Sequence, residues 1–146
     1  MEMYKDFEIS EFQISDYSNA VALWETIEGV TLNESDTVEA ISLFLQRNPN
    51  FSFIAKWKSG ETIGTILCGH NGRAGQIYHL AVSKSHRGKG LGKKLVSLCF
   101  SKLAQENIPR CNIFVYSNNQ VGNSFWLNTG WHDPTTWKVL QKHVQA

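Results

Sequence analysis

Residues 76–105 read as a strand, a glycine-rich loop and a helix in direct succession. The strand candidate, residues 76–82, is mostly apolar, and the helix candidate, residues 90–105, carries apolar residues on one face. Between them stand Gly88, Gly90 and Gly92, which remove three Cβ atoms where the backbone must turn. The segment therefore predicts a strand-to-helix turn whose backbone amide groups another molecule can approach closely.

The amide groups of this turn favour an anion. They stand at a helix N-terminus, where about half a positive charge is exposed, and such termini bind phosphate or pyrophosphate. Arg87, Lys89, Lys93 and Lys94 add positive charge around the turn, although they would equally suit an ordinary solvated helix start. Nucleic acid is a poorer partner, because no aromatic residue lies within residues 84–94 to stack on a base.

Hydrophobic periodicity and turn residues divide the chain into short elements. Strands are predicted over residues 7–12, 51–56, 62–68, 76–82, 111–116 and 137–140, with helices from Asp16, from Asp36, over residues 90–105 and around Phe125. Asp36 with Glu39 three residues later forms a capping-box pattern. The order is βααβββαβαβ, and the strand–helix–strand unit over residues 76–116 requires a parallel crossover. We expect an α/β (α+β) fold with a mixed, mostly antiparallel sheet and helices on both faces.

Length and composition restrict the class of protein. The 146 residues suit one domain spanning residues 1–146, and 42% hydrophobic residues are too many for a disordered chain. No apolar run approaches the roughly 20 residues of a membrane span, and the first residues lack the pattern of a signal peptide. Cys68, Cys99 and Cys111 have no metal-ligand spacing, and their odd count suits no secreted disulfide framework. We expect a cytoplasmic protein with buried free thiols, no metal and no membrane partner.

The formal net charge of +1 conceals a division of the chain. Residues 1–61 carry 11 acidic and 4 basic residues, a balance of −7, whereas residues 62–146 carry 2 acidic and 10 basic residues, a balance of +8. A total near zero argues against a dedicated nucleic-acid binder. The division is either an uneven solvated surface or a sign that the second half meets an anionic partner.

Three phosphate-binding patterns can be compared with the glycine-rich loop. A Walker A loop needs Ser or Thr after its Lys, but Lys93 is followed by Lys94. A Rossmann fingerprint needs an acidic residue about 20 residues further on, and residues 108–112 contain none. The remaining pattern, Arg-x-x-Gly-x-Gly, is met by Arg87, Gly90 and Gly92 directly after Leu-Ala-Val on the strand.

This pattern resembles the acyl-CoA binding motif of the GNAT superfamily of N-acyltransferases. A later segment, with Asn119, Gly122, Trp126 and Gly130-Trp131, is similar to a second motif of that family, in which many members have Tyr where Trp126 stands. The turn over residues 69–75 resembles that of a subgroup of small bacterial members. The predicted element order is also similar to the family's over nearly the whole chain.

The resemblance implies a site for acetyl-CoA where the strands over residues 76–82 and 111–116 would splay apart. Backbone groups of three strand residues would pair with the pantetheine arm, and amides of the loop would hold the pyrophosphate. The implied cofactor-binding residues are Leu80, Ala81, Val82, Arg87, Gly88, Lys89, Gly90, Leu91, Gly92, Lys93, Asn119 and Trp126. Asn119 would contact the pantetheine or fix its own loop. Trp126 would cover the cofactor, because an indole N–H cannot replace the acid that the family's Tyr supplies.

The implied reaction is direct attack of an amine on the thioester, without a cysteine nucleophile. His79 is the candidate general base, because a histidine pKa near 6.5 suits proton transfer; a half-buried sheet histidine is the alternative. Tyr116 is the second catalytic candidate. The candidates for binding a cationic acceptor are Glu28, Glu34 and Tyr78, and Asp36 of the same loop could also bind or deprotonate it. Ordinary caps and solvated loop acids are the alternative for the acidic residues of this loop, and above all for Asp36.

The expected function is transfer of an acetyl group from acetyl-CoA to a primary amine of a small molecule or a peptide. Nucleic acid and membrane are not expected as partners, and a homodimer is left open. Two other functions compete. One is an acyl-CoA-binding regulatory module with weakened catalysis, which Trp126 favours. The other is a nucleotide-phosphate binder that shares only the glycine-rich loop.

Overall fold

The computed structural model describes residues 2–145 and consists of six strands and four helices within that range. In chain order these are β1 (Glu2–Met3), β2 (Phe7–Glu11), α1 (Tyr17–Trp24), α2 (Val38–Arg47), β3 (Phe53–Trp57), β4 (Thr62–His70), β5 (Gly75–Val82), α3 (Leu91–Gln105), β6 (Cys111–Ile113) and α4 (Gln120–Asn128). Short 3-10 turns over Ile14–Asp16, Glu34–Asp36 and Lys84–His86 precede α1, α2 and α3.

The six strands form one sheet in the order β1 to β6. Neighbours from β1 to β5 pair antiparallel, and β6 alone lies parallel to its neighbour, β5. The connection between β5 and β6 is α3, as a parallel crossover requires. The predicted fold class, a mixed and mostly antiparallel sheet with helices, is therefore confirmed.

Helices cover both faces of the sheet. On one face, α1 packs through Trp24 against Ile54 and Ala81. On the other face, α3 packs through Leu95 and its apolar neighbours against Ile77 and other strand residues. Complete burial of one such side chain is worth roughly 1.5–3 kcal/mol. The strand β5 therefore lies between α1 on one face, through Ala81, and α3 on the other, through Ile77.

A bulge in β5 interrupts the alternation of its side chains. Thr65 of β4 pairs with Ala81, and Leu67 pairs with Tyr78, so β5 has one residue more than β4 between these two pairs. His79, inside the bulge, has a φ of 48°, in the left-handed region. Consecutive residues of a regular strand point to opposite faces, but here Tyr78 and His79 both contact the α1 and α2 side. The bulge thus turns His79 away from α3.

Three details of the sequence prediction are wrong. No strand covers residues 137–140 within the described range, where Val139 and Leu140 are both exposed and lack strand alternation. The strand predicted over residues 111–116 ends at Ile113, because β5 turns away from it at the bulge. Thr37, not Asp36, caps α2, and its Oγ1 accepts the N–H of Ala40 at 3.1 Å. The observed order is consequently ββααβββαβα, with β1 as an additional strand.

Candidate active site

A cleft of about 1580 Å³ opens where β5 and the chain after β6 separate. Only Gly75 to Ile77 of β5 pair with β6, so the β6 side of β5 has no strand partner from Tyr78 to Val82 within residues 2–145. The α1–α2 loop, the glycine-rich loop and α4 form its other walls. The predicted site residues that line the cleft are Glu28, Tyr78, His79, Leu80, Val82, Arg87, Gly88, Gly90, Leu91, Gly92, Lys93, Tyr116, Asn119 and Trp126.

Two glycines shape the loop between β5 and α3. Gly88 and Gly90 have φ of 77° and 81°, in the left-handed region that glycine adopts at low cost. Gly90 is the N-cap of α3 and provides no side chain, so the first N–H groups of the helix have no side-chain acceptor there. Such unsatisfied amides carry the positive end of the helix dipole. The start of a 15-residue helix therefore presents the positive end of its dipole to the cleft.

Gly92 is required for packing rather than for backbone conformation. A Cβ placed on Gly92 would lie 3.2 Å from Cζ of Phe125, closer than ordinary van der Waals contact. The missing side chain lets Phe125 of α4 pack against the first turn of α3. This contact brings α4 against the glycine-rich loop.

The basic residues of the loop point in different directions. Arg87 lines the cleft, and its Nε donates to the carbonyl oxygen of Val82 at 3.1 Å. Lys89 does not line the cleft, because its Nζ lies 5.7 Å from the centre of the Trp57 ring. Ala81 is also absent from the lining, since its side chain is buried on the α1 side. Ala81 could therefore contact the pantetheine arm only through its backbone groups, as predicted.

Asn119 closes the opposite wall of the cleft. Its Oδ1 accepts the N–H of Gly122 at 3.0 Å and so caps α4. Two roles were predicted for Asn119, contact with the pantetheine or fixing of its own loop. The hydrogen bond to Gly122 corresponds to the second role. The side chain also packs against Gly29 of the α1–α2 loop, which lies across the mouth of the cleft.

His79 lies between the two walls and is held at several points. Its ring packs 4.6 Å from that of Trp24, and its carbonyl oxygen accepts the Thr65 hydroxyl at 2.9 Å. Thr65 Oγ1 in turn accepts the N–H of the Trp24 indole at 2.8 Å. The Nε2 of His79 lies 2.7 Å from Oδ1 of Asp36, which is itself buried.

Asp36 is a candidate whose partner sequence reasoning did not identify. Predicted as a cap or solvated acid, it is only 8% exposed and faces His79 across 43 positions of sequence. No local spacing signals this pair. The available signal is that Thr37 is also a residue type that caps helix N-termini, so Asp36 is not needed as the cap of α2 and can contact another partner.

Of the remaining residues predicted to act on the acceptor or in catalysis, three line the cleft and Glu34 does not. Tyr78 and Tyr116 line the cleft with 40% and 54% of their surface exposed, and burial raises the pKa of Tyr78. Glu28 lines the cleft and is exposed. Glu34 does not line it, and its Oε1 lies 3.1 Å from Nε2 of His143. A hydrogen bond from the Glu34 backbone, then that histidine, lower the Glu34 pKa.

Trp126 is a packed residue of the α3 side of the core. It is 7% exposed and makes edge contacts with Phe125 at 4.9 Å and Trp131 at 4.8 Å. Its remaining exposed surface lines the cleft. The expected packing of this aromatic ring is present, and the structure gives it no acidic hydroxyl.

Two further properties concern the described residues as a whole. No group of three or more His, Cys, Asp or Glu side chains in residues 2–145 is arranged to hold a metal ion. No helix in that range combines the length and apolar character that crossing a bilayer requires.

Comparison with known proteins identifies the family. Residues 14–131 match the acetyltransferase (GNAT) family, which is most of the chain. An acetyltransferase of Yersinia enterocolitica is 31% identical over 114 residues, which cover 78% of this chain and 79% of the relative. The chain therefore belongs to the GNAT family of acetyltransferases, and it is an acyltransferase.

Solved structures show the same fold. A GNAT acetyltransferase from Staphylococcus aureus superposes with a TM-score of 0.74 at 16% identity, over 93% of this chain and 94% of that one. The PaiA N-acetyltransferase from Thermoplasma acidophilum, solved in complex with coenzyme A, has a TM-score of 0.72 at 18% identity, over 85% and 88% of the two chains. The sequence-based resemblance to this family is thus confirmed.

Proposed function

We propose that this acyltransferase moves an acetyl group from acetyl-CoA to a primary amine by direct attack. The observation that carries the proposal is one cleft that joins three features: a helix N-terminus without a side-chain cap, a β5 edge without a strand partner in residues 2–145, and a largely buried histidine side chain. The first two features suit a long donor with a pyrophosphate, and the third suits proton transfer. A structural relative solved with coenzyme A supports the same donor.

The residues present fit an acyl-CoA. The pyrophosphate would be held by backbone amides from Gly88 to Lys93 and by Arg87, and the pantetheine arm would lie along Leu80 to Val82. Typical single-ligand pockets occupy about 300–1,000 Å³, so a cleft of about 1580 Å³ has room for both a donor and an acceptor. When bound, acetyl-CoA would supply the acetyl group as a thioester.

Proton transfer falls to His79. An acceptor enters as an ammonium ion at neutral pH and must lose a proton to the base before its nitrogen can attack the thioester carbonyl carbon. The C–N bond then forms, the C–S bond breaks, and the second amine proton goes to the departing thiolate. Backbone N–H groups near Val82 would polarise the carbonyl. Tyr116, the second catalytic candidate, also lines the cleft.

The acceptor class is a primary amine of a small molecule or a peptide. Glu28 and Tyr78 stand on the acceptor side of the cleft, and a carboxylate there attracts a cation. Glu34 has a weaker case, because its carboxylate is engaged with His143. Neither nucleic acid nor a membrane surface is expected to bind, and a cytoplasmic location and a homodimer remain predictions.

An acyl-CoA-binding module with weak catalysis is the second candidate. Trp126 favours it, because this ring stands where many relatives have a Tyr and cannot donate a proton to the thiolate. A nucleotide-phosphate binder is disfavoured, because the family is shared over residues 14–131 and not over the loop alone.

Free-thiol release from acetyl-CoA with a panel of amines tests the proposal. The panel contains peptide N-termini, lysine side chains, polyamines, amino acids and aminoglycosides. Turnover with at least one amine is expected, and His79→Ala should lower kcat by about 100-fold, the usual contribution of a general base, with little change in acetyl-CoA affinity. His132→Ala, an exposed histidine outside the cleft, serves as the control. Binding of acetyl-CoA without turnover on any amine would favour the module, and unchanged kcat in His79→Ala would reject His79 as the base.

A further inference from the structure

Asp36 is a buried carboxylate with both oxygens engaged. Its Oδ1 lies 2.7 Å from Nε2 of His79, and its Oδ2 accepts the backbone N–H of Asn33 at 3.0 Å. Its side chain has 9% of its surface exposed, and that of His79 has 13%. A buried carboxylate is costly unless it is paired and hydrogen-bonded, so this arrangement fixes both side chains.

The turn that carries Asp36 has stabilising hydrogen bonds outside α2. The hydroxyl of Tyr17 in α1 donates to the carbonyl oxygen of Asp36 at 2.6 Å. Asn33 begins the turn, and its Oδ1 accepts the N–H of Ser35 at 2.8 Å. Because Thr37 caps α2, Asp36 contributes no side-chain cap to that helix, and its side chain makes a long-range hydrogen bond to His79.

This contact determines which nitrogen of His79 carries a proton. A carboxylate can only accept a hydrogen bond, so Nε2 must donate to Oδ1. In the neutral ring, Nδ1 then holds the lone pair, and it makes no hydrogen bond within residues 2–145. The elements packed on the ring present Trp24 from α1, Thr65 from β4 and Asp36 from the turn, and only Asp36 among these is titratable. Two further titratable groups lie nearby: Tyr17, whose hydroxyl donates to the backbone carbonyl of Asp36, and Tyr78, the residue before His79.

We infer that Asp36 is a positioning residue that keeps His79 in the Nε2–H tautomer, so that Nδ1 accepts the proton of the acceptor amine. The inference rests on the proposed function for the direction of proton transfer, but the tautomer itself does not. The bulge in β5 serves the same arrangement, because it turns His79 towards Asp36 and away from α3. A carboxylate that faces an imidazole also stabilises the protonated ring that forms when the amine loses its proton.

Asp36→Asn is the informative substitution because it reverses the donor. The backbone N–H of Asn33 still needs an acceptor, so the amide oxygen takes the Oδ2 position and the NH₂ group faces His79. Nε2 must then accept, and the proton moves to Nδ1. The ¹⁵N chemical shifts of a labelled imidazole ring distinguish a protonated nitrogen from one with a lone pair. We expect the Nε2–H form of His79 in the wild type and the Nδ1–H form in Asp36→Asn.

Kinetics then connects the tautomer to the reaction. Asp36→Asn should lower kcat with the accepted amine about tenfold or more, with the acetyl-CoA KM unchanged, and should move the acidic limb of the pH profile to lower pH. Glu39→Gln removes the same charge from an exposed position three residues away and should change none of these values. An Nδ1–H tautomer in the wild type would overturn the inference, even if the variant fails to fold.

The remaining outcomes are also decisive. If the wild type has the Nε2–H form but kcat and its pH profile are unchanged in Asp36→Asn, the pair is structural only and the inference is wrong. If the wild type acetylates no amine at all, the proposed function fails, and the positioning role fails with it, although the tautomer would still be measured. A reversed tautomer together with a reduced kcat supports both.

Discussion

Gly29 of the α1–α2 loop touches Asn119, the cap of α4, across the mouth of the cleft. A Cβ on Gly29 would lie 2.5 Å from Nδ2 of Asn119. The loop that carries the acceptor-side residues therefore rests against the segment that follows β6. The α1–α2 loop and the segment before α4 therefore support each other. A side chain at Gly29 would push these two walls of the cleft apart.

Gly29→Ala should destabilise the protein more than its backbone conformation alone explains. Its φ of 85° costs an L-residue roughly 1–2 kcal/mol, and the contact with Asn119 adds about 1–3 kcal/mol of overpacking. Gly60→Ala is the matched control, because Gly60 has a φ of 92° and nothing within 4 Å of its Cβ position. Urea unfolding measures both. Equal losses in the two variants would show that Gly29 and Asn119 are not in tight contact.

Arg87→Ala should mainly weaken donor binding. A charge-assisted hydrogen bond to phosphate is worth about 1.5–3 kcal/mol, so we expect the acetyl-CoA KM to rise about tenfold or more while kcat changes little. Arg73→Ala removes the same charge from the exposed β4–β5 turn, outside the cleft, and should leave both constants unchanged. Steady-state kinetics at low ionic strength measures the difference. An unaltered KM in Arg87→Ala rules out its phosphate role.

Trp126→Ala should cost about 3–5 kcal/mol of stability, as truncation of a buried aromatic residue usually does. The ring is 7% exposed and contacts both Phe125 and Trp131. Trp137→Ala, at a position 65% exposed, should stay within about 0.5 kcal/mol of the wild type. Thermal or urea unfolding distinguishes the two, and a small loss in Trp126→Ala would contradict its place in the core.

Stability should fall at alkaline pH because of two thiols. A hydrogen bond with the Cys68 thiol, then burial, raise the pKa of Cys111. The hydrogen bond with Cys111 lowers the pKa of Cys68, but contact with Cys99 and burial raise it by more. The pKa of Cys68 is therefore raised as well. Unfolded thiols ionise near pH 8.5, whereas these stay neutral in the folded state. The free energy of unfolding should therefore be constant below about pH 8 and decrease above it, by up to about 1.4 kcal/mol per pH unit for each thiol.

Urea unfolding between pH 7 and pH 10 tests this alkaline loss. Cys111→Ala should give a shallower decrease, because it removes one of the two ionising thiols. Tyr78 acts in the same direction only near its unfolded pKa of about 10. A free energy of unfolding that stays level from pH 8 to pH 10 would show that the thiols ionise in the folded protein as well.

The glycine-rich loop was predictable because its residues stand together in sequence. Gly88 and Gly90 adopt left-handed φ, and the helix from Leu91 begins within one residue of the expected place. The strand-to-helix turn is a local structure, so its chemistry can be seen in six consecutive residues. The same holds for the capping Asn119 with Gly122 three residues later.

The partner of His79 was not predictable, because two long-range effects determine it. Regular alternation would place His79 on the same face as Ile77, towards α3, and only the bulge reverses this. Asp36 was expected to cap α2. Thr37 caps that helix instead, so the Asp36 side chain can contact His79. The strand predicted over residues 137–140 is absent for a related reason, since β6 ends three residues early and offers little edge for these residues to join.

The central claim is that the cleft binds acetyl-CoA through the start of α3 and the free edge of β5. Titration of the ¹⁵N-labelled protein with coenzyme A, with ATP and NAD as comparison ligands, tests it at individual backbone amides. We predict saturable shifts at residues 80–82 and 88–93 with coenzyme A, and much weaker binding of ATP and NAD. No binding of coenzyme A, with ATP or NAD shifting those same amides, would contradict the account.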